Sequence, residues 1–467
     1  MPFTGKDLID MGYTQANWFG EAITAANKAE AERGDITAAI EAVRLAHEEQ
    51  FAVKVNPNPM VPHTVGAIPY HFNLRVESPD ELDNVNAVHA HMTELMKTPV
   101  ITAGAIMPDA CPAGSLPGTI PVGGVVASKG IHPGFHSADI CCSLAMSVLP
   151  HHSMDAKEVL DRAMQLSHFG PGGRPRGAQF NLTSELMERF TKNPFLFGLE
   201  RDAKEHFMTQ GDGNHFFYVG TINDRVAIVT HHGSRKPGAM LYKRGMITAE
   251  KHTTWVSPET PKHNAWLDPE TVDGQNYWEA LQIIREWTKQ NHFGIHDLVM
   301  GGIKPDHRQW NEHNFVFRKT DGLFYHGKGA TPAFADYADD ADEYTLIPLN
   351  MAEPILLVRG KDASNGLGFA PHGAGRNFSR TRFLKGYSDQ EHTPELFGLP
   401  KHIDARAFSG RPDYSEYPHA YKNAAQVRDQ IKHFGLAEVV NTIQPYGCIM
   451  AGENDWQYGR RMKKKTP

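Results

Sequence analysis

The sequence predicts an α+β protein, with mixed β-sheets flanked by helices after a mostly helical N-terminal region. Three observations carry the fold class. Residues 14–50 are rich in Ala and Glu, which favour helix. The segment Ser78-Pro79-Asp80-Glu81 has the form of a capping box with proline in the first turn. Beyond residue 96 the texture changes to short β-branched runs between Gly-rich loops.

Taken in order, Asp35 is placed to cap a helix over 36–49. The helix opened by Ser78 should run to about residue 96. Val100-Ile101-Thr102, Thr119-Ile120-Pro121-Val122 and Val226-Ala227-Ile228-Val229 read as strands. Helices are expected near 155–169 and 277–291. The resulting plan is a helical region at 1–96, a catalytic domain at 97–460 and a basic tail at 461–467.

Composition narrows the class. With 467 residues, 40% of them hydrophobic, the chain can bury a substantial core. No apolar run approaches the roughly 18 residues of a membrane span, and the first residues lack a signal-peptide pattern. Cys111, Cys141, Cys142 and Cys448 do not make a disulfide framework. A reducing, cytoplasmic location is therefore expected, with no membrane partner. A net charge of −7 argues against a broad nucleic-acid footprint but leaves room for a local basic channel. The 26 histidines, several in Gly-rich surroundings, point towards metal or phosphate chemistry.

Five clusters set ligand-type side chains beside small residues. They are Asp139-Ile140-Cys141-Cys142, Gly211-Asp212-Gly213-Asn214-His215-Phe216, and Thr230-His231-His232-Gly233-Ser234-Arg235. The fourth is Glu312-His313-Asn314 with His326-Gly327-Lys328-Gly329-Ala330-Thr331; the fifth is Pro371-His372-Gly373-Ala374-Gly375-Arg376 with Arg380. One Asp, one Cys and three His suffice for two metal ions sharing a thiolate, a pair able to clamp an in-line phosphoryl displacement. A histidine among glycines is accessible, and the neighbouring backbone N–H groups can cradle phosphate. Such a histidine can carry a nucleotide as a phosphoramidate, with Arg376 and Arg380 available to neutralise charge.

These motifs, in this order, resemble those of the RtcB-type RNA-splicing and repair ligases. The resemblance runs from Ile106-Met107-Pro108-Asp109 to Pro445-Tyr446-Gly447, taking in Pro121-Val122-Gly123-Gly124-Val125 and Ala420-Tyr421-Lys422. It implies an enzyme that joins RNA 3′-phosphate or 2′,3′-cyclic phosphate ends to 5′-hydroxyl ends through a histidine–GMP intermediate. In that scheme Cys142 bridges two Mn²⁺ ions, with Asp139 and His215 on one and His231 and His313 on the other. His372 takes GMP from GTP, and Asn214 meets phosphate. Gly373, Ala374, Gly375, Arg376, Asn350 and Tyr421 complete the nucleotide site. The implied partners are RNA ends, from tRNA halves or damaged RNA, and an activating protein is left open. Manganese follows from the resemblance alone, because a Cys/His donor set binds zinc more tightly.

The chain also departs from the family. Tyr218 stands where a Glu is usual, Leu349-Asn350-Met351-Ala352 where Gly-Ser-Met-Gly is usual, and Met450 where a Lys is usual. Gly327 replaces an Arg, Ser143 a Gly, and Ala110-Cys111 a Gly-His pair. The first three positions include groups that read guanine, so ATP is an alternative to GTP. Two other readings stand beside the ligase: a manganese-dependent phosphoesterase or nucleotidyltransferase, and a protein that binds RNA ends without chemistry.

Overall fold

A computed structural model describes residues 2–13, 15–16, 18–51, 58–61, 70–76, 78–174 and 180–455. The basic tail expected at 461–467 lies outside the described residues. The chain divides into two compact units, Met1–Pro57 and Asn58–Pro467.

The first unit holds α1 (Gly5–Asp10), α2 (Phe19–Ala31) and α3 (Ile36–Phe51). Leu8, Phe19, Ala22, Ala26 and Ile40 form its small core. Asp35 caps α3 as expected, its Oδ1 accepting the Ala38 N–H at 3.0 Å.

In the second unit α4 (Pro79–Leu95) starts where the capping signal lies, but the box does not form: Ser78 is extended and its side chain makes no cap hydrogen bond. Glu81 is instead buried, with Oε1 accepting from Asn377 Nδ2 at 3.5 Å. The apolar face of α4 (Val88, Met92, Leu95) shares a core with Ile101 and Ile106. By packing, α4 thus belongs to the second unit.

One sheet runs β1 (Tyr70–Phe72), β2 (Ile101–Cys111), β3 (Val122–Ser128), β9 (Phe324–Lys328), β8 (Asn314–Arg318). Thr119–Pro121 stay outside β3, because the Gly124 N–H turns back onto the Pro121 carbonyl at 3.1 Å. The larger sheet runs β11 (Tyr344–Ile347), β12 (Ile355–Gly360), β15 (Ala437–Met450), β5 (Phe216–Ile222), β6 (Arg225–His232), β4 (Ser143–Val148), β7 (His307–Glu312). A further strand, β14 (Asp404–Ala407), pairs with β15. A short ladder joins β10 (Ala330–Pro332) to β13 (Phe369–Pro371). Between β7 and β11 side chains do the work of a ladder: Asn311 accepts the Leu346 N–H at 2.9 Å and donates to the Leu346 carbonyl at 3.2 Å, and Gln309 donates to the Tyr344 carbonyl. The larger sheet is thereby nearly closed into a barrel.

Helices flank these sheets: α5 (Pro133–His136), α6 (Ala156–Leu166), α7 (Ser184–Lys192), α8 (Glu200–Glu205), α9 (Arg235–Val256), α10 (Val272–Met300), α11 (Arg380–Lys385) and α12 (Ala424–His433). α10 is longer than the sequence pattern indicates. Thr271 caps its start, accepting from the Gly274 N–H at 3.1 Å, and buried Ile295, Val299 and Met300 carry its apolar face on to Gly301, whose φ of 62° ends it. The architecture is α+β, with mixed sheets and flanking helices, as expected. Among the described residues no helix is long and apolar enough to cross a membrane.

Candidate functional site

The sheet register brings the metal-ligand candidates together. Ser143 of β4 sits opposite His232 of β6 and Glu312 of β7, and Phe216 of β5 sits opposite His231. One edge of four neighbouring strands therefore presents Cys142, His215, His231 and His313. Asp139 joins them from a tight turn. The Cys142 N–H bonds the Asp139 carbonyl at 3.2 Å, the His313 N–H bonds the Cys142 carbonyl at 2.9 Å, and Cys141 adopts a positive φ of 57°. Gly233 must be glycine here: a Cβ on it would lie 2.1 Å from Asp139 Oδ1.

The donor atoms converge on one sulfur. Cys142 Sγ is 3.1 Å from His231 Nε2 and 3.5 Å from His215 Nε2. His231 and His313 face each other through Nε2 atoms 3.1 Å apart, and His215 Nε2 is 3.3 Å from Asp139 Oδ2. The donors fall into two triads that share Cys142: Cys142, His231, His313 and Asp139, Cys142, His215. His231 donates its Nδ1–H to the Asn214 carbonyl at 3.0 Å, which leaves Nε2 bare and aimed at the cluster. Burial pushes His231 down to about 3 and His313 well below the usual imidazole range, so both rings are neutral at pH 7. Burial alone would raise Asp139, but the His215 charge and hydrogen bond outweigh it and hold the carboxyl at about 2. Burial, with Asp139 beside it, raises the Cys142 thiol well above its usual value. The neutral His231 and His313 rings, an ionised Asp139 carboxylate and a thiol that a cation would deprotonate form a donor set suited to a divalent cation.

His372 follows β13 directly and stands beside this cluster, its ring 5.0 Å from that of His313. Its Nδ1 bonds Asp109 Oδ2 at 2.6 Å, and the Asp109 side chain is wholly buried. With Nδ1–H donated to Asp109, Nε2 is the nitrogen left for chemistry. Lys422 brackets Asp109, Nζ donating to the Pro108 and Ala110 carbonyls at 3.2 and 2.9 Å. Gly375 lies so close, at a φ of 71°, that a Cβ would fall 1.9 Å from the Asp109 carbonyl oxygen.

His372 and His231 open onto a cavity of about 750 Å³, also lined by Asn214, Asn350, Gly373, Ala374, Gly375, Arg376 and Tyr421. The volume suits a nucleotide. Arg376 is committed elsewhere than its sequence context indicates. It donates to buried Glu416, to the Ser415 carbonyl at 2.6 Å and to Tyr421 Oη at 3.0 Å. Arg380 binds the other oxygen of Glu416, and Tyr421 donates to Glu416 at 2.6 Å. Asn350 folds its Oδ1 back onto the Ala352 and Glu353 N–H groups at 2.9 and 3.1 Å. His326, from the fourth motif, lies away from the donor triads and packs against His132 and His136.

Two residues at this site had no role in the sequence reading. Asp109 stood within the Met-Pro-Asp resemblance but without a partner, because His372 is 263 residues away. Glu416 carried no motif signal at all.

Fold and site together define an α+β protein with two triads that could hold a metal ion, next to a carboxylate-held histidine in a nucleotide-sized cavity. The chain belongs to the RtcB family: the family model described as tRNA-splicing ligase RtcB matches residues 196–451, more than half its length. That match includes His215, His231, His313 and His372, while Asp139 and Cys142 lie before it and reach the site through the fold. The chain is similar to tRNA-splicing ligase RtcB of Methanococcus maripaludis, 27% identical over 51% of this chain and 58% of the relative. It is 26% identical to that of Thermococcus kodakarensis over 60% of this chain and 64% of the relative. Against RNA-splicing ligase RtcB of Escherichia coli it is 24% identical over 70% of this chain and 86% of the relative. The chain thus spans less than two thirds of the two archaeal relatives.

Proposed function

We propose that this protein is an RNA ligase that joins RNA 3′-phosphate or 2′,3′-cyclic phosphate ends to 5′-hydroxyl ends through a nucleotide carried on His372. The observation that carries the reading is the Asp109–His372 pair set beside two cation-donor triads at the mouth of a nucleotide-sized cavity. Family membership supports the same activity.

His372 Nε2 attacks the α-phosphorus of GTP, the bond to the β-phosphate oxygen breaks, and pyrophosphate leaves. Asp109 keeps the proton on Nδ1 and stabilises the positive charge that develops on the ring, as a buried carboxylate does for a histidine. An RNA 3′-phosphate oxygen then attacks the same phosphorus and frees His372; a cyclic end is first opened by water. Finally the 5′-hydroxyl attacks the RNA phosphate, GMP departs with the electron pair, and the hydroxyl proton passes to solvent. Two divalent cations, manganese in this reading, held by Asp139, Cys142, His215, His231 and His313, supply Lewis-acid stabilisation of the phosphate oxygens. The backbone N–H groups of Gly373–Gly375 and the side chain of Asn214, which line the cavity, would hold phosphate. The four free cysteines, one of them a ligand, support a reducing, cytoplasmic setting.

The test is ligation of a 3′-phosphate RNA to a 5′-hydroxyl RNA by purified protein with Mn²⁺ and GTP. Joined product is expected from the wild type and none from His372→Ala. Equal joining by both would remove His372 from the reaction.

A further inference from the structure

We infer that the nucleotide cavity holds its base chiefly by stacking and shape, with no free carboxylate to read guanine, so that both ATP and GTP are accepted. The inference rests on the ligase reading above and concerns the nucleotide that site takes.

The phosphates belong at the polar end, where His372, the donor triads and the Gly373–Gly375 backbone lie. What remains for the base is the wall built by β5, β15 and the loop before β12. Phe216 sits opposite Met450 and Tyr218 opposite Cys448 in the antiparallel register, so all four face the cavity, and Met351 completes the surface. The wall begins at the metal-donor cluster, since the Phe216 ring lies 5.2 Å from that of His231. Aromatic and sulfur side chains stack on either purine face.

Among the described residues, this wall carries no charged group to discriminate between the bases. The Tyr218 hydroxyl donates to the Ile443 carbonyl at 3.0 Å. Burial raises the Cys448 thiol to about 12, so it stays neutral and acts as a small apolar group. Among the described residues lining the cavity the single carboxylate is Glu416, and Arg376, Arg380 and Tyr421 occupy it. Guanine's N1–H and N2–H₂ therefore find no free acid. Asn350 has its oxygen tied into its own loop; its remaining amide donor could meet N7, which both purines carry. Sites that hydrogen-bond a substrate edge reject its analogue by about 10⁴-fold or more, whereas apolar sites manage about 100-fold at best.

The test is calorimetric binding of the α,β-methylene analogues of GTP and ATP, which cannot transfer to His372, to Mn²⁺-loaded wild-type protein. A parallel reaction follows covalent label from α-³²P GTP and ATP and its release by acid, with His372→Ala as control. Affinities within about 100-fold of each other are expected, with His372-dependent, acid-labile label from both nucleotides. A larger guanine preference, with label from GTP, overturns the inference and leaves the ligase reading standing. No His372-dependent label from either nucleotide overturns both.

Discussion

The chemistry proposed here turns on one short contact. Asp109 has no exposure to solvent and one oxygen on His372 Nδ1, so the imidazole has a set tautomer before any substrate arrives. Asp109→Asn keeps the shape but can present an amide N–H where Nδ1–H should be accepted. Nucleotide transfer to His372 should fall by about 100-fold or more, while bound metal, read by elemental analysis, stays unchanged. Unaltered transfer would show that the carboxylate is not what prepares the histidine. The candidate metal donors could be picked out in the sequence because each lies within a short motif, most of them at or beside a strand end. The Asp109–His372 and Arg376–Glu416 contacts were not, because tertiary folding alone makes them, across 263 and 40 residues.

Among the elements, the strand ends matter most, and their alignment depends on the sheet around them. Strands such as β6 could be read from a β-branched run, since alternation and branching are local properties. The order β5-β6-β4-β7 could not, because register is decided by partners far along the chain. The Ser78–Glu81 signal shows the converse case, a local motif that marks where α4 starts while its capping box does not form and Glu81 is buried against Asn377. Asn311 offers a direct probe of closure between β7 and β11. Its replacement by Ala leaves the Leu346 N–H and carbonyl without their partners. Stability should drop by about 1–3 kcal/mol, measured as a lower denaturant midpoint with the slope unchanged. A midpoint equal to the wild type would mean that the bridge contributes nothing to closure.

Across the molecule, histidine burial sets how the fold responds to acid. Away from the metal donors, burial pushes His132, His136 and His296 each from the ordinary 6.5 down to about 3. Below pH 6.5 the unfolded chain takes up protons that the native chain refuses. Their stabilising contribution is therefore complete above about 6.5 and is lost progressively as pH falls towards 3. The melting temperature of the metal-free protein should decline steadily from pH 7 to pH 5; a flat profile over that interval would contradict the buried, neutral state of these rings. The same neutrality suits His231 and His313 as ligands, so the fold that resists their protonation also readies them for a cation.

The most direct measurement is peptide mapping by mass spectrometry of protein incubated with Mn²⁺ and GTP or ATP, then quenched at alkaline pH to preserve a phosphoramidate. A nucleotide monophosphate adduct on the peptide containing His372, discharged when RNA with a 3′-phosphate is added, is the predicted result. Metal-loaded protein that carries no adduct at His372 with either nucleotide would contradict the account.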